Sequence, residues 1–252
     1  MITAIRTEVR KLRTIRQPWG LLALCVALTA LFTILRASRA GTTGHMAIPA
    51  LNTAAGVTRV ITGTEFGLLL AMVAGSIIVT GEFRHSTITG TYLATPDRLK
   101  VLLAKLPTAA ALGALFGLAA TVVTTGLGLA FVAGKGYPLA LGTATILRYG
   151  AGSVLGAALL AMIGVGAGSL VRSQLATSIS VFVWSFVVEQ LIGGLFSSVA
   201  PYLPFTAATS LGGTPIGAAT ALPFAAAAAV VVGAAALLCA VAARTTVRAD
   251  VS

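Results

Sequence analysis

Acidic residues are the scarcest feature of this sequence: Glu8, Glu65, Glu82, Asp97, Glu189 and Asp250 are the only six in 252 residues. Charged residues of both signs make up 9%, far below the quarter or so that a water-soluble domain carries. That shortage excludes a soluble catalytic domain. Cysteine is scarce too: Cys25 and Cys239 both sit inside apolar runs, so they read as small buried hydrophobes rather than a disulfide framework. The two histidines, His45 and His85, have no neighbouring acid or second ligand, so no metal site is expected. No span pairs two carboxylates, which leaves an intramembrane hydrolase without its residues.

What is present is apolar surface. Hydrophobic residues reach 57% and the mean hydropathy is +0.99. A hydrocarbon core about 30 Å thick takes about 20 helical residues, so the chain has room for about six spans. The fold class expected is all-α integral membrane, as a single transmembrane domain over residues 1–252. Spans are expected at about Trp19–Leu35, Ile61–Thr80, from after Lys105 and Pro107 to Ala133, from Arg148 or Tyr149 to Val171, at Leu175–Phe196 and at Ala221–Ala243.

The net charge of +11 raises nucleic acid as a partner. A nucleic-acid footprint, however, clusters bases with aromatics on a solvated face, and here the bases fill gaps between apolar runs. That placement is the one expected of the positive-inside rule and of attraction to membrane lipids, so no nucleic-acid partner is expected. With six spans and an inner N-terminus, twelve of the 17 bases fall inside and five outside. Both termini are therefore expected in the cytoplasm.

Residues 1–18 place Arg6, Arg10 and Arg13 on one helical stripe, beside Lys11, and Ile5, Val9 and Leu12 on another. This predicts an amphipathic helix lying in the headgroup layer, broken by Pro18. The alternative, a signal peptide, is disfavoured by the length of the next apolar run and the lack of a convincing cleavage site. Glu65 is placed near one end of the second span, where an acid can reach the interface.

Residues 81–105 concentrate charge between two long apolar segments, with Glu82, Arg84, Asp97 and Arg98 as a candidate docking surface for another protein. The bland alternative is a solvated loop. Residues 197–220 hold Pro201, Pro204 and Pro215, hydroxyls and no charge, too broken for a span and too apolar for a loop, so a re-entrant or surface-lying outer segment is expected. Glu189 is the one acid well inside a span, 14 residues past Leu175, or about 21 Å along a helix. It reads either as a polar contact in a translocation path or as a structural acid paired with Arg148. Gly113 and Gly117, Gly152 and Gly156, and Gly164 and Gly168 are spaced to let helices pack closely.

Several of these stretches carry a resemblance. Glu8-Val9-Arg10-Lys11-Leu12-Arg13 ahead of the first span, and Gly81-Glu82, Thr87-Ile88-Thr89-Gly90-Thr91, Leu93-Ala94-Thr95-Pro96-Asp97-Arg98 and Ala104-Lys105 after the second, are similar to the pattern of type-2 ABC exporter permeases. The resemblance implies an elbow helix over 1–18, a coupling helix in 81–105 and short outer helices over 197–220. It also implies an ABC ATPase subunit that binds ATP and Mg, and a second permease half, identical or homologous. The chain has no Gly-x-x-x-x-Gly-Lys-Ser/Thr loop, so no cofactor of its own is expected and ATP falls to the partner. The function implied is export of an amphipathic or apolar substrate, such as a drug, antibiotic, peptide or lipid-like compound, across the cytoplasmic membrane. The alternatives are an ion- or proton-coupled carrier using Glu189 and a membrane anchor or immunity-type subunit that transports nothing.

Overall fold

A computed structural model describes residues 17–42, 48–84, 98–214 and 220–248. The amphipathic segment with Arg6, Arg10, Lys11 and Arg13 lies outside the described residues, as do His45, Asp97, the rest of the 85–97 connection, and the side chain of Arg98.

Among the described residues, six helical stretches are long and apolar enough to cross a membrane. The first, α1 (Gln17–Arg39), buries Cys25, Thr29, Thr33 and Ala37, small residues four apart that form one stripe against its neighbours. A short helix α2 (Ala54–Ile61), capped by the Thr53 hydroxyl, leads through Thr62-Gly63-Thr64 into α3 (Glu65–Arg84). Next come α4 (Arg98–Gly134), α5 (Thr143–Val171) and a fifth span, α6 (Gln174–Leu195). Within α6, Trp184–Val188 form a π-helical turn. A 3-10 turn (Ala200–Tyr202) and the half-helix α7 (Pro204–Leu211) precede the last span, α8 (Phe224–Arg248).

The boundaries depart from expectation in two places. The third span does not wait for Pro107: the helix starts at Arg98 and holds Pro107 internally, so residues 98–105 are helix rather than loop. A proline there removes only the bond to the Leu103 carbonyl, which the rest of a long apolar helix tolerates. The fourth span likewise starts earlier, at Thr143.

Helix α3 is the axis of the bundle. It is apolar on every side and 16 of its residues are buried, as befits a helix surrounded by others. It packs on α5, α4, α6 and α1. Glycines set how close these approaches are. A methyl group at Gly75 would strike the Ala161 carbonyl, and one at Gly164 the Met72 carbonyl, so α3 and α5 meet backbone to backbone. The spaced pairs divide the work among partners: Gly113 and Gly117 admit α5 to α4, while Gly152 and Gly156 admit α7 to α5. Outward faces of α6 and α8 remain apolar and exposed, with Leu175, Leu191, Leu195 and Leu237 all more than half exposed. Such a surface is stable only against hydrocarbon or another apolar face, and the chain is a multi-pass helical membrane protein.

Candidate functional site

Alternating direction puts the α3–α4 connection and the α5–α6 turn at one end of the bundle, here the Arg84 end. The Glu65 end carries α2 and α7. Each end holds its own arrangement of polar groups, and Glu189 ties α6 to α7.

At the Arg84 end, Lys105 Nζ lies 2.8 Å from Glu82 Oε1, joining α4 to the last turn of α3. Both side chains are nearly sealed from solvent, at 2% and 8% exposure. The ammonium also points at the Ile78 carbonyl, 3.5 Å away. This corrects two sequence expectations. Glu82 does not stand in a solvated docking loop: α3 continues to Arg84, and its packing against α4 turns the carboxylate inward. Lys105 is a buried partner rather than a base at the membrane surface.

Arg84 remains accessible. Its Nη1 donates to Gln174 Oε1 at 3.2 Å, bridging α3 to the first residue of α6. Beside it Arg172 ends α5 in a left-handed conformation (φ 58°), and its backbone N–H donates to the Gly168 carbonyl. This closes the tight hairpin at Arg172-Ser173-Gln174, and it carries the Arg172 guanidinium to 6.0 Å above the Phe83 ring.

At the other end, Arg36 Nη2 donates to Glu65 Oε2 at 3.1 Å, with the guanidinium laid against Gly63. Glu65 therefore does not reach water: it is 7% exposed, it faces α1, and it sits in the first turn of α3, where the helix dipole favours an acid. Hydroxyl contacts add to the joint, from Thr62 to Thr214 at 2.6 Å and from Thr64 to Ser153 at 3.2 Å.

Glu189 is held more completely than either ion pair. Four donors converge on a carboxylate that is 1% exposed. Trp184 Nε1 (2.8 Å) and the Phe205 amide (3.0 Å) donate to Oε1; the Thr206 amide (2.9 Å) and hydroxyl (3.0 Å) donate to Oε2. The two amides belong to the first turn of α7. Its N-cap residue is Leu203, which has no side-chain oxygen to offer. A carboxylate from another helix thus caps α7, where unpaired N–H groups and the dipole both call for negative charge. Pairing with Arg148 is not the arrangement found; that guanidinium lies over the Tyr149 ring at 5.8 Å.

The π turn explains how Trp184 takes part. One extra residue per turn rotates the rest of α6, so that Trp184 and Glu189, five apart, share a face. Nothing in residues 184–188 announces this turn, and it escaped sequence reasoning. The Glu82–Lys105 pair could have been found: an acid closing one apolar run and a base inside the next have few other partners available.

The expected broken segment is present as the 3-10 turn and α7, with Phe205 to Leu211 all buried beneath α5, α8 and α3. Its polar backbone is covered by protein, which is the condition for irregular structure in an apolar setting. Phe205 extends an aromatic row: ring centroids lie 5.6 Å apart to Phe186, 5.7 Å from Phe186 to Phe66 and 4.4 Å from Phe66 to Phe32. The row links α7, α6, α3 and α1.

Among the described residues no cluster of three or more metal-binding side chains occurs. Comparison with family models, with curated proteins and with solved structures gives no match.

Proposed function

We propose that this chain is the membrane-spanning subunit of an ATP-driven exporter, with ATP and Mg handled by a separate ABC ATPase and with a second permease half completing the pathway. The substrate class is amphipathic or apolar. The Arg84 end faces the cytoplasm together with both termini, as the distribution of bases favours. One observation carries the reading: the 85–97 connection is hung between two helices that the buried Glu82–Lys105 pair ties together. A partner pressing on that connection would move α3 and α4 as a unit, and α3 is the helix that touches α5, α6 and α1. Force at the cytoplasmic face then has a rigid route to the interior, as a rigid-body switch between two states requires.

In this reading the docking surface consists of Asp97, Arg98 and the connection itself. Glu82 belongs to the transmission path behind it, and Glu189 sets the shape of the outer end. The test uses the full chain co-expressed with a candidate ATPase: co-purification, and ATP-dependent substrate uptake by inverted vesicles. Charge reversal at Asp97 and Arg98 together is expected to weaken both. The topology behind it is checked in a Cys25→Ser, Cys239→Ser background, where a cysteine at Gly136 should react with an impermeant reagent from outside and one at Asp97 only from inside. Outside reaction at position 97 overturns the reading.

A further inference from the structure

The Arg84 end holds a cavity of about 470 Å³ between α3 and the α5–α6 turn, lined by Phe83, Arg84, Arg172, Ser173, Gln174 and Ser178. Two guanidiniums border it, and among the described residues neither has a carboxylate partner. The described acids are all committed elsewhere: Glu65 to Arg36, Glu82 to Lys105, and Glu189 to the start of α7. Two like charges held beside one cavity, with no described acid between them, are the electrostatic complement of an anion.

The geometry holds the charges in place. Arg84 is fixed by its bond to Gln174, and Arg172 by the Phe83 ring beneath it. The Ser173 side chain does not cap the amides at the start of α6, and Ser173 and Gln174 both line the cavity. Arg172 occupies a left-handed position that glycine would take without strain.

The apolar surroundings identify the anion. Leu175 lines the cavity and is 73% exposed, and Val171, next to Arg172 in the chain, is 42% exposed, each at the end of a span. An anion carried on an apolar tail satisfies both parts at once, the phosphate between the arginines and the glycerol and acyl region along Val171 and Leu175. We propose that this cavity binds the phosphate headgroup of an anionic phospholipid and so anchors the α5–α6 hairpin to the membrane surface. The site is independent of any ATPase and requires only that the Arg84 end meet a leaflet containing such lipids.

The full-length protein, delipidated in neutral detergent, is titrated with phosphatidylglycerol and with phosphatidylcholine, and bound lipid is counted by native mass spectrometry. Phosphatidylglycerol should bind more tightly, and Arg84→Gln and Arg172→Gln should each weaken it about fivefold, the scale of one surface base. Arg39→Gln, at an exposed base of the opposite end, should leave it unchanged. Arg172→Gly guards against misfolding, because its backbone suits glycine: it should melt no lower than the parent chain yet lose the lipid like Arg172→Gln. Unchanged lipid binding by Arg172→Gly overturns the proposal. Displacement of phosphatidylglycerol by inorganic phosphate at comparable concentration also overturns it, by showing a site for a soluble anion. If Arg84→Gln with Arg172→Gln keeps the lipid and instead sheds a co-purifying ATPase, the arginines serve a protein contact and the lipid site is wrong.

Discussion

Lys105 and Glu82 meet at 2.8 Å inside the bundle, where neither is exposed beyond a tenth, and they form an ion pair joining α3 to α4. Burying two charges is expensive unless each answers the other, so the pair acts as a registration device more than a source of stability. Lys105→Met, which takes the ammonium away from the buried Glu82 carboxylate, should destabilise the protein by up to roughly 3–5 kcal/mol. Combining it with Glu82→Leu should recover most of that loss, and denaturant unfolding in detergent micelles measures both. In the export reading the double variant keeps its fold and loses coupling between ATP hydrolysis and transport. Equal stability of single and double variants would sink the registration argument.

Glu189→Gln keeps an acceptor oxygen but turns an amide N–H₂ towards donors that have no use for it. The expected cost is about 1–3 kcal/mol for the donors left unsatisfied. The loss should be local: amide exchange at Phe205 and Thr206 should rise well before the spans open. Exchange that stays slow at both amides would show that α7 does not depend on this cap. Altered export by a variant that remains folded would extend the role of Glu189 to the transport path.

The glycines separate contact from mere composition. Gly75→Ala and Gly164→Ala drive a methyl into a facing carbonyl and should force α3 and α5 apart, at a cost in the overpacking range of about 1–3 kcal/mol. Gly126, inside α4 with open space beside it, should accept alanine with a gain of up to about 1 kcal/mol. Thermal melts of the three variants decide the matter, and similar shifts for all three would contradict the close approach of α3 and α5.

Arg36 and Arg39 both stand in the last turn of α1. The structure separates them: Arg36→Gln breaks a largely buried pair with Glu65 and should lower stability by roughly 2 kcal/mol, whereas the exposed Arg39 should tolerate glutamine within about 0.5 kcal/mol. Parallel unfolding of the two variants tests the difference directly.

The six long helices, the tight turn after Val171, the broken stretch before α8 and the three spaced glycine pairs were all legible in the order of residues. Each arises from local chemistry: runs of apolar side chains, prolines, and the absence of a Cβ at every fourth position. Partner choice was not legible. Glu65, Glu82 and Glu189 are the same kind of group, two at the ends of apolar runs and one inside, and only the packing of α1, α4 and α7 against them decided that each would be buried and answered by Arg36, by Lys105 and by two backbone amides. The π turn at Trp184–Val188 belongs to the same class, because one inserted residue changes which face meets α7 without altering hydrophobicity. Hydropathy is a property of each segment taken alone and survives in the sequence; the pairing of buried charges depends on distances between segments, which exist only after the helices have packed.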